Sequence, residues 1–217
     1  MFNLSFLKNK ELGKKCIILA NGPSVKQHQL SKLKNSDHII IGMNASPLLE
    51  QEYDFKHDYY TISDTRFLTD SKEKYSIATK LVDKTVIKVF RKEIAKYYPK
   101  SPNTYYVPAL ERDGFSDNMN VGYHYGRTTV MLALQLAYYL GCSEIYLLGF
   151  DLTYSSKQSR FYVEDKLQID DAQASIQIFN VYQSVVFLKE KGINLYQCNE
   201  NSLARNYIPF KPFNELF

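Results

Sequence analysis

Seven short apolar runs, separated by longer amphipathic segments, constrain the fold of this 217-residue chain more than any other feature. The runs are Cys16 to Ala20, His38 to Met43, Tyr59 to Ser63, Thr85 to Val89, Tyr105 to Val107, Glu144 to Gly149 and Asn194 to Tyr196. Their length and their β-branched and aromatic residues are typical of buried strands, and their alternation with helical segments predicts stacked βαβ units. We therefore predict an α/β fold in which residues 1–217 form a single domain, with a mostly parallel sheet and helices on both faces.

The spacing of apolar residues and glycines indicates two helices and two connecting segments. Apolar side chains repeat at helical spacing from Arg127 to Leu140, and a second helix is predicted from about Asp171 to Lys191; a glycine follows each. Residues 99–125 contain prolines and glycines without a helical period, which predicts a long loop. Long loops in compact domains often carry function, and we expect residues 151–170 to form a lid.

The first predicted strand runs directly into the turn Asn21-Gly22-Pro23-Ser24. We expect Ser24 to cap a helix that begins at Val25, so that free backbone N–H groups and the positive end of the helix dipole face the strand end. Such a junction holds a phosphate in many α/β proteins, which predicts an anion site. The turn matches neither the glycine-rich dinucleotide fingerprint nor the lysine-ended phosphate loop. An ordinary turn between a strand and a helix is the alternative interpretation.

Polar residues follow the other predicted strands in corresponding positions. Asn44 follows the second strand, Asp64 the third and Asp151 the sixth. Ligands of open parallel sheets bind beyond the carboxyl ends of the strands, so we expect these side chains to meet in one cleft. Thr128 and Thr129 open the long helix and offer a second place for an anion. Each of these residues, taken singly, is also explained as a helix cap or a turn residue.

Charge and hydropathy limit the partners of the chain. The net charge of +4 comes from lysines spread through the sequence, which favours an anionic small molecule over nucleic acid. The three cysteines lack zinc-site spacing and are expected to be reduced, buried thiols, and we predict no metal site.

No apolar stretch reaches the ~20 residues of a membrane span, which indicates a cytoplasmic protein. Apolar residues beside lysines at both ends suit peripheral contact with the inner face of the cytoplasmic membrane, or else fold back on the core.

Three sequence blocks resemble those of one family. They are Ile18-Leu19-Ala20-Asn21-Gly22-Pro23-Ser24, then Leu140-Gly141-Cys142-Ser143-Glu144-Ile145-Tyr146-Leu147-Leu148-Gly149-Phe150-Asp151, and Leu195-Tyr196-Gln197-Cys198-Asn199-Glu200-Asn201-Ser202-Leu203-Ala204. The blocks look like those of the bacterial sialyltransferases that modify lipooligosaccharide, and of the related lipopolysaccharide-locus proteins grouped with 6-hydroxymethylpterin pyrophosphokinase. The resemblance covers about the first 45 residues and about residues 125–206.

The resemblance implies a single Rossmann-like domain over residues 1–217 and a glycosyltransferase with a CMP-sugar as co-substrate and no other cofactor. Such an enzyme transfers an acidic sugar of the sialic acid or Kdo type, with inversion and without a metal, to a bacterial surface glycan of lipooligosaccharide or capsule. Either Tyr154 or Tyr162 is expected to serve the leaving phosphate. The residues expected to bind the nucleotide are Asn21, Gly22, Ser24, Asn44, Thr128, Thr129, Asn201 and Ser202.

The general base is where the chain departs from the sialyltransferase pattern. That family places a histidine between the Gly-x-Asp strand and the next helix, whereas this chain has an apolar residue there, near Ile176. A carboxylate is expected to take the role, and His124, just before the long helix, is the alternative. The carboxylates in reach of the predicted cleft are Asp64, Asp151, Glu164 and Asp165.

Two other functions fit the same residues. In a Mg²⁺-dependent ATP diphosphokinase of the pterin pyrophosphokinase type, Asp64 and Asp151 would hold the metal against the ATP phosphates. A catalytically inactive nucleotide-sugar-binding protein would explain the missing histidine. A tyrosine-rich helix face with Tyr138, Tyr139 and Tyr182 suits either a subunit contact in a homo-oligomer or core packing.

Overall fold

The structure, a computed structural model, describes residues 3–153, 158–164 and 171–217. The strands in this part of the chain are β1 (Lys15–Leu19), β2 (Ile39–Met43), β3 (Tyr59–Ile62), β4 (Ile87–Arg91), β5 (Thr104–Val107), β6 (Ala109–Leu110), β7 (Tyr123–His124), β8 (Glu144–Leu148) and β9 (Asn194–Gln197). The α-helices are α1 (Pro47–Tyr53), α2 (Arg66–Thr69), α3 (Lys72–Ser76), α4 (Thr129–Tyr139) and α5 (Ala174–Glu190). Short 3-10 helices span Ser5–Leu7, Pro23–Gln27, Leu30–Asn35, Lys92–Lys96, Leu203–Asn206 and Phe213–Leu216, and a π-helical turn spans Ile77–Leu81.

The predicted strands form one parallel sheet in the order β5-β4-β3-β2-β1-β8-β9. Strand β1 lies between β2 and β8, so the strand order reverses there and a crevice opens beyond the carboxyl ends of the two strands. The predicted α/β, Rossmann-like architecture is confirmed. This crevice is the place where the fold favours a ligand.

Alternate residues of the central strand pack into two layers, one on each face of the sheet. Cys16 and Ile18 lie in the layer that contains α4 and α5, and Ile17 and Leu19 lie in the layer that contains α1 and the last residues of the chain. Side chains of a strand point alternately to opposite faces, so an apolar run on a central strand supplies both layers. Helix α4 is buried along almost its whole length, which explains its apolar sequence.

The first turn and the long connection differ from expectation. Residues 23–27 form a short 3-10 helix with Gly22 at its N-cap, and Ser24 lies inside it, so the prediction that Ser24 caps a helix is wrong. Proline at the first helical position already fixes the start of this turn, and the Ser24 hydroxyl bonds elsewhere. Residues 99–125, expected as a long loop apart from the predicted strand that became β5, also include the short parallel pair of β6 and β7.

Both ends of the described chain fold back on the core. Leu4 and Leu7 are buried beside α4, and Phe213 and Leu216 are buried in the other layer. The three cysteines are free and buried, as predicted, and burial raises the pKa of the Cys198 thiol to about 12. In the residues that the structure describes, no helix has the length and apolar character that a bilayer span requires.

The tyrosine-rich face divides between core and surface. Tyr139 is buried, and Tyr138 packs edge-on against Phe115 and Phe187. Tyr182 is exposed and contacts only the Tyr207 ring among the aromatic residues described. Core packing therefore accounts for the first two residues, and a subunit contact through Tyr182 stays a prediction.

Candidate functional site

A cleft of about 1360 Å³ opens at the carboxyl ends of β1, β2, β3 and β8, beside the first turn of α4. Four separate strand ends contribute to its walls, as the open parallel sheet predicts. The structure brings the following predicted residues to this cleft: Asn21, Gly22, Asn44, Asp64, Thr128, Thr129, Asp151, Tyr162 and Glu164.

Asp151 is a buried carboxylate that ties three strand ends together. The Ser24 backbone N–H donates to Oδ2 of Asp151 at 2.9 Å, the Ser24 hydroxyl donates to Oδ1, and Nδ2 of Asn199 donates to Oδ1 at 2.7 Å. The anion predicted at the first turn is thus a side chain of the protein itself. Three protein donors hold Asp151, which thereby positions the turn after β1; the catalytic role expected from the sequence stays a prediction.

Gly22 is required by the close approach of this turn to Asp151. A Cβ atom at Gly22 would lie 2.4 Å from Oδ2 of Asp151 and 2.6 Å from the Gly149 carbonyl oxygen. The backbone N–H of Gly22 donates to the same carbonyl at 2.7 Å. Any side chain at position 22 would therefore push apart the ends of β1 and β8.

Two asparagine amides lie in the cleft wall, after β1 and β2. Oδ1 of Asn21 accepts the backbone N–H of Ala45 at 3.1 Å, which joins the two strand ends. Asn44 has a left-handed backbone with φ of 48°, which asparagine tolerates better than most residues. Its buried Oδ1 has no hydrogen-bond partner within the described chain. Because buried acceptors are normally satisfied, this oxygen in the cleft wall is available to accept a hydrogen bond from a ligand or a water molecule.

The N-terminus of α4 forms the opposite wall of the cleft. Gly126 and Arg127 adopt left-handed φ values of 51° and 58°, and this pair turns the chain into the helix. The Thr128 hydroxyl caps α4 by accepting the Val130 N–H at 3.3 Å, and the Thr129 hydroxyl lies 2.9 Å from the hydroxyl of Ser63. The start of this 11-residue helix carries the positive end of its dipole, which favours an anion.

Asp64 lies in the cleft but is already paired. The Arg66 guanidinium binds it bidentately, with Nη2 2.6 Å and Nε 2.9 Å from Oδ2 and Nε 3.0 Å from Oδ1. This ion pair raises the pKa of Arg66. Since Asp64 and Asp151 are both occupied by protein donors, they do not fit the Mg²⁺ site considered from the sequence. In the described residues, no three His, Cys, Asp or Glu side chains converge as metal ligands.

Tyr162 and the residues around it close one side of the cleft. The Phe161 N–H donates to the Asn21 carbonyl at 3.0 Å, which fixes residues 158–164 to the turn after β1. Burial, together with nearby Glu164, raises the pKa of Tyr162, so its phenol keeps its proton at neutral pH and can donate. Tyr154 and Asp165 lie outside the described residues.

Several predicted residues lie elsewhere. His124 does not line the cleft; its Nδ1 lies 3.0 Å from the Arg112 carbonyl oxygen. Ser202 is buried, donates to the Phe150 carbonyl at 2.6 Å and caps the helix that begins at Leu203. Asn201 is exposed, and its backbone N–H donates to Oδ1 of Asn199. Asn199, two residues earlier in the same block, was not predicted as a site residue, yet it binds Asp151.

A polar cleft at the switch point of a parallel sheet places the chain among the Rossmann-like α/β proteins. The model of the family described as 6-hydroxymethylpterin diphosphokinase MptE-like matches residues 2–157, and the chain belongs to this family. No curated protein matches the chain by sequence. The predicted family relationship is therefore confirmed.

Solved structures share the fold. The sialyltransferase CstII from Campylobacter jejuni, in complex with a substrate analogue, cytidine-5'-monophosphate, is 18% identical with a TM-score of 0.56 over 93% of this chain and 86% of that one. CstII in complex with a trisaccharide acceptor and CMP is 19% identical with a TM-score of 0.52 over 92% and 86%. The MAf glycosyltransferase from Magnetospirillum magneticum AMB-1 is 14% identical with a TM-score of 0.62; the match covers 94% of this chain and 35% of that protein. At these identities the likeness establishes the fold.

Proposed function

We propose that the chain is a glycosyltransferase that transfers an acidic sugar of the sialic acid or Kdo type from a CMP-sugar to a bacterial surface glycan. The observation that carries the proposal is the unsatisfied amide of Asn44 in a cleft at the strand ends. The cleft offers amides, hydroxyls and a helix N-terminus, which suit a nucleotide phosphate and its sugars. Support also comes from the shared fold with a sialyltransferase described as a CMP complex.

The residues have distinct roles in the proposed reaction. Asn21 and Asn44 bind the nucleoside, whose amino group or ribose hydroxyl would satisfy the buried oxygen of Asn44. The acceptor oxygen forms a bond to the anomeric carbon from the face opposite the phosphate, while the bond to the phosphate breaks and CMP leaves with the electron pair. Negative charge grows on that phosphate, where Thr128, Thr129 and the start of α4 stabilise it. The neutral phenol of Tyr162 donates a hydrogen bond to the same group.

The proposed acceptor is a lipooligosaccharide or capsule glycan, and the proposed place of transfer is the inner face of the cytoplasmic membrane. The enzyme would work there from the cytoplasmic side. Most apolar residues at the two ends are buried, so peripheral contact would rest on exposed residues such as Phe6 and Phe217, which are about half exposed. Neither a metal nor any cofactor besides the CMP-sugar takes part in the proposed reaction.

Thermal unfolding with CMP, CDP, UDP and ATP, each with Mg²⁺ and with EDTA, tests the proposal. A ligand that binds only the folded state stabilises it by about 2.7 kcal/mol at roughly 100 times its Kd. We expect CMP to raise the melting temperature most, equally with Mg²⁺ and with EDTA. Stabilisation by UDP or ATP in place of CMP would contradict the proposed donor.

The family match favours one second candidate, a diphosphokinase that uses ATP. That function predicts stabilisation by ATP only when Mg²⁺ is present, through ligands other than the paired carboxylates of Asp64 and Asp151. A protein that only binds the nucleotide sugar would respond to CMP but release no CMP from a CMP-sugar. The same titration, followed by an assay of CMP release, separates the three functions.

A further inference from the structure

A second cavity, of about 700 Å³, adjoins the cleft. Helix α1, Lys26 and residues 158–164 form its walls. Ser159, Tyr162 and Glu164 line both cavities, so a molecule in the second would meet a molecule in the first across these three residues. Two adjoining cavities are what a reaction between two substrates requires.

The walls of the second cavity suit a sugar ring. Leu48, Phe161 and Val163 provide apolar surface, which fits the C–H face of a ring, and Gln51 provides an amide for hydroxyl groups. Lys26 is the cation in this wall, and its Nζ lies 2.7 Å from Oε2 of Glu52, which neutralises it. The cavity therefore favours a neutral polyhydroxyl ligand over a phosphate.

Glu164 is the buried carboxylate common to both cavities. Its side chain is 8% exposed; Oε1 lies 3.2 Å from Nζ of Lys74, and Oε2 accepts a hydrogen bond from the Ser159 hydroxyl at 2.9 Å. A carboxylate has about four lone-pair sites, so these two contacts orient Glu164 and leave room to accept a proton. Asp64, by contrast, is held bidentately by Arg66, and neither Asp64 nor Asp151 lines the second cavity.

We propose that the second cavity binds the acceptor sugar and that Glu164 is the general base for its hydroxyl. The inference rests on the proposed function and supplies the residue that the chain has in place of the absent histidine. The hydroxyl proton passes to the Glu164 carboxylate as the hydroxyl oxygen forms its bond to the anomeric carbon. CMP takes the electron pair of the bond that breaks, so charge and protons balance. Lys74 and Ser159 are positioning residues that hold the carboxylate.

An assay with azide as the nucleophile distinguishes a general base at Glu164 from a structural residue. Azide attacks the donor without losing a proton, so it needs no base. Wild type, E164Q and E164A would be assayed for CMP release from CMP-sialic acid and CMP-Kdo, with lactose as the hydroxyl probe and with sodium azide. General base catalysis contributes about 10²- to 10⁴-fold, so we expect E164Q to transfer to lactose slower by that factor. We also expect E164A with azide to release CMP within about threefold of wild type with azide, and both variants to keep the CMP affinity of wild type.

Glu144→Gln is the matched control. Glu144 is also ion-paired and partly buried, but it opens β8 at the opposite edge of the sheet, so E144Q should leave both reactions unchanged. Transfer to lactose by E164Q at the wild-type rate would overturn the role of Glu164, and so would equal loss of the lactose and azide reactions. If wild type releases no CMP from either donor, with or without azide, the proposed function itself fails, and the role of Glu164 fails with it.

Discussion

Two walls of the cleft use their polar groups in opposite ways. In the wall after β1, Ser24, Asp151 and Asn199 satisfy one another, and the backbone around Gly22 packs too closely for any side chain. In the wall formed by residues 159–164, Glu164 faces two cavities, and among the described residues it contacts Lys74 and Ser159. Both Asp151 and Glu164 line the cleft, so the two carboxylates differ in how many protein donors they bind and in the space beside them.

The largest effect on stability is expected for Asp151→Ala. Removal of the carboxylate leaves the donors of Ser24 and Asn199 buried without partners, at about 1–3 kcal/mol each. We expect the free energy of unfolding in urea to fall by roughly 3 kcal/mol or more, with CMP binding lost as the turn moves. The control Asp70→Asn changes an exposed carboxylate of the same cleft and should alter stability by less than about 0.5 kcal/mol. Equal stability of D151A and wild type would remove the distinction between the two walls.

Gly22→Ala tests the close packing of the same wall. The added methyl group would overlap Asp151 and the Gly149 carbonyl, and overpacking of this kind costs about 1–3 kcal/mol or more. Gly13→Ala is the comparison, because φ at Gly13 is 80° and no atom lies within 4 Å of the added methyl. We expect urea unfolding to show destabilisation of both variants, and loss of CMP affinity only for G22A. Full CMP affinity in G22A would contradict the tight junction of β1 and β8.

Asn44→Gly removes the unsatisfied amide and retains the left-handed backbone, which glycine adopts freely. A hydrogen bond contributes about 0.5–1.5 kcal/mol net, so Kd for CMP should rise roughly two- to twelvefold in calorimetric titration. Asn103→Gly is the matched control, because Asn103 has φ of 54° but lies outside the cleft. The same Kd for N44G and N103G would exclude Asn44 from the nucleotide site.

The smallest effect is expected for Asp64→Asn. The Asp64–Arg66 pair is partly exposed, and such ion pairs contribute about 0–1 kcal/mol to stability. We therefore expect unfolding within that range of wild type and CMP release from CMP-sialic acid within a few-fold. If D64N lost as much CMP release as is expected for E164Q, Asp64 would be the base. The comparison between the two walls would then be wrong.

The sheet was predictable because strand signals are local. Alternation of apolar runs marked every strand of the seven-stranded sheet, although β4 begins two residues later than the predicted Thr85 to Val89 run. The helix cap at Thr128 was equally predictable, since its hydrogen-bond partner, the Val130 N–H, lies only two residues away. The meeting of Asn21, Asn44 and Asp64 in one cleft was also predictable, because the carboxyl ends of parallel strands lie at one edge of the sheet.

The contacts of the site were not predictable from local patterns. Ser24 has the residue type and position of a helix cap, yet its hydroxyl bonds Asp151, 127 residues away in the sequence. Asn199 joins the same carboxylate across 48 residues. His124 precedes α4 in sequence, but its strand pairs with β6 and carries the imidazole away from the cleft. Only tertiary packing decides which of several carboxylates is paired and which faces a cavity.

Calorimetric titration of CMP in EDTA, into wild type and N44G, tests the central claim most directly. We predict saturable, metal-independent binding to wild type at one site, weakened roughly two- to twelvefold in N44G. No heat of binding from CMP, together with Mg²⁺-dependent binding of ATP, would contradict the account.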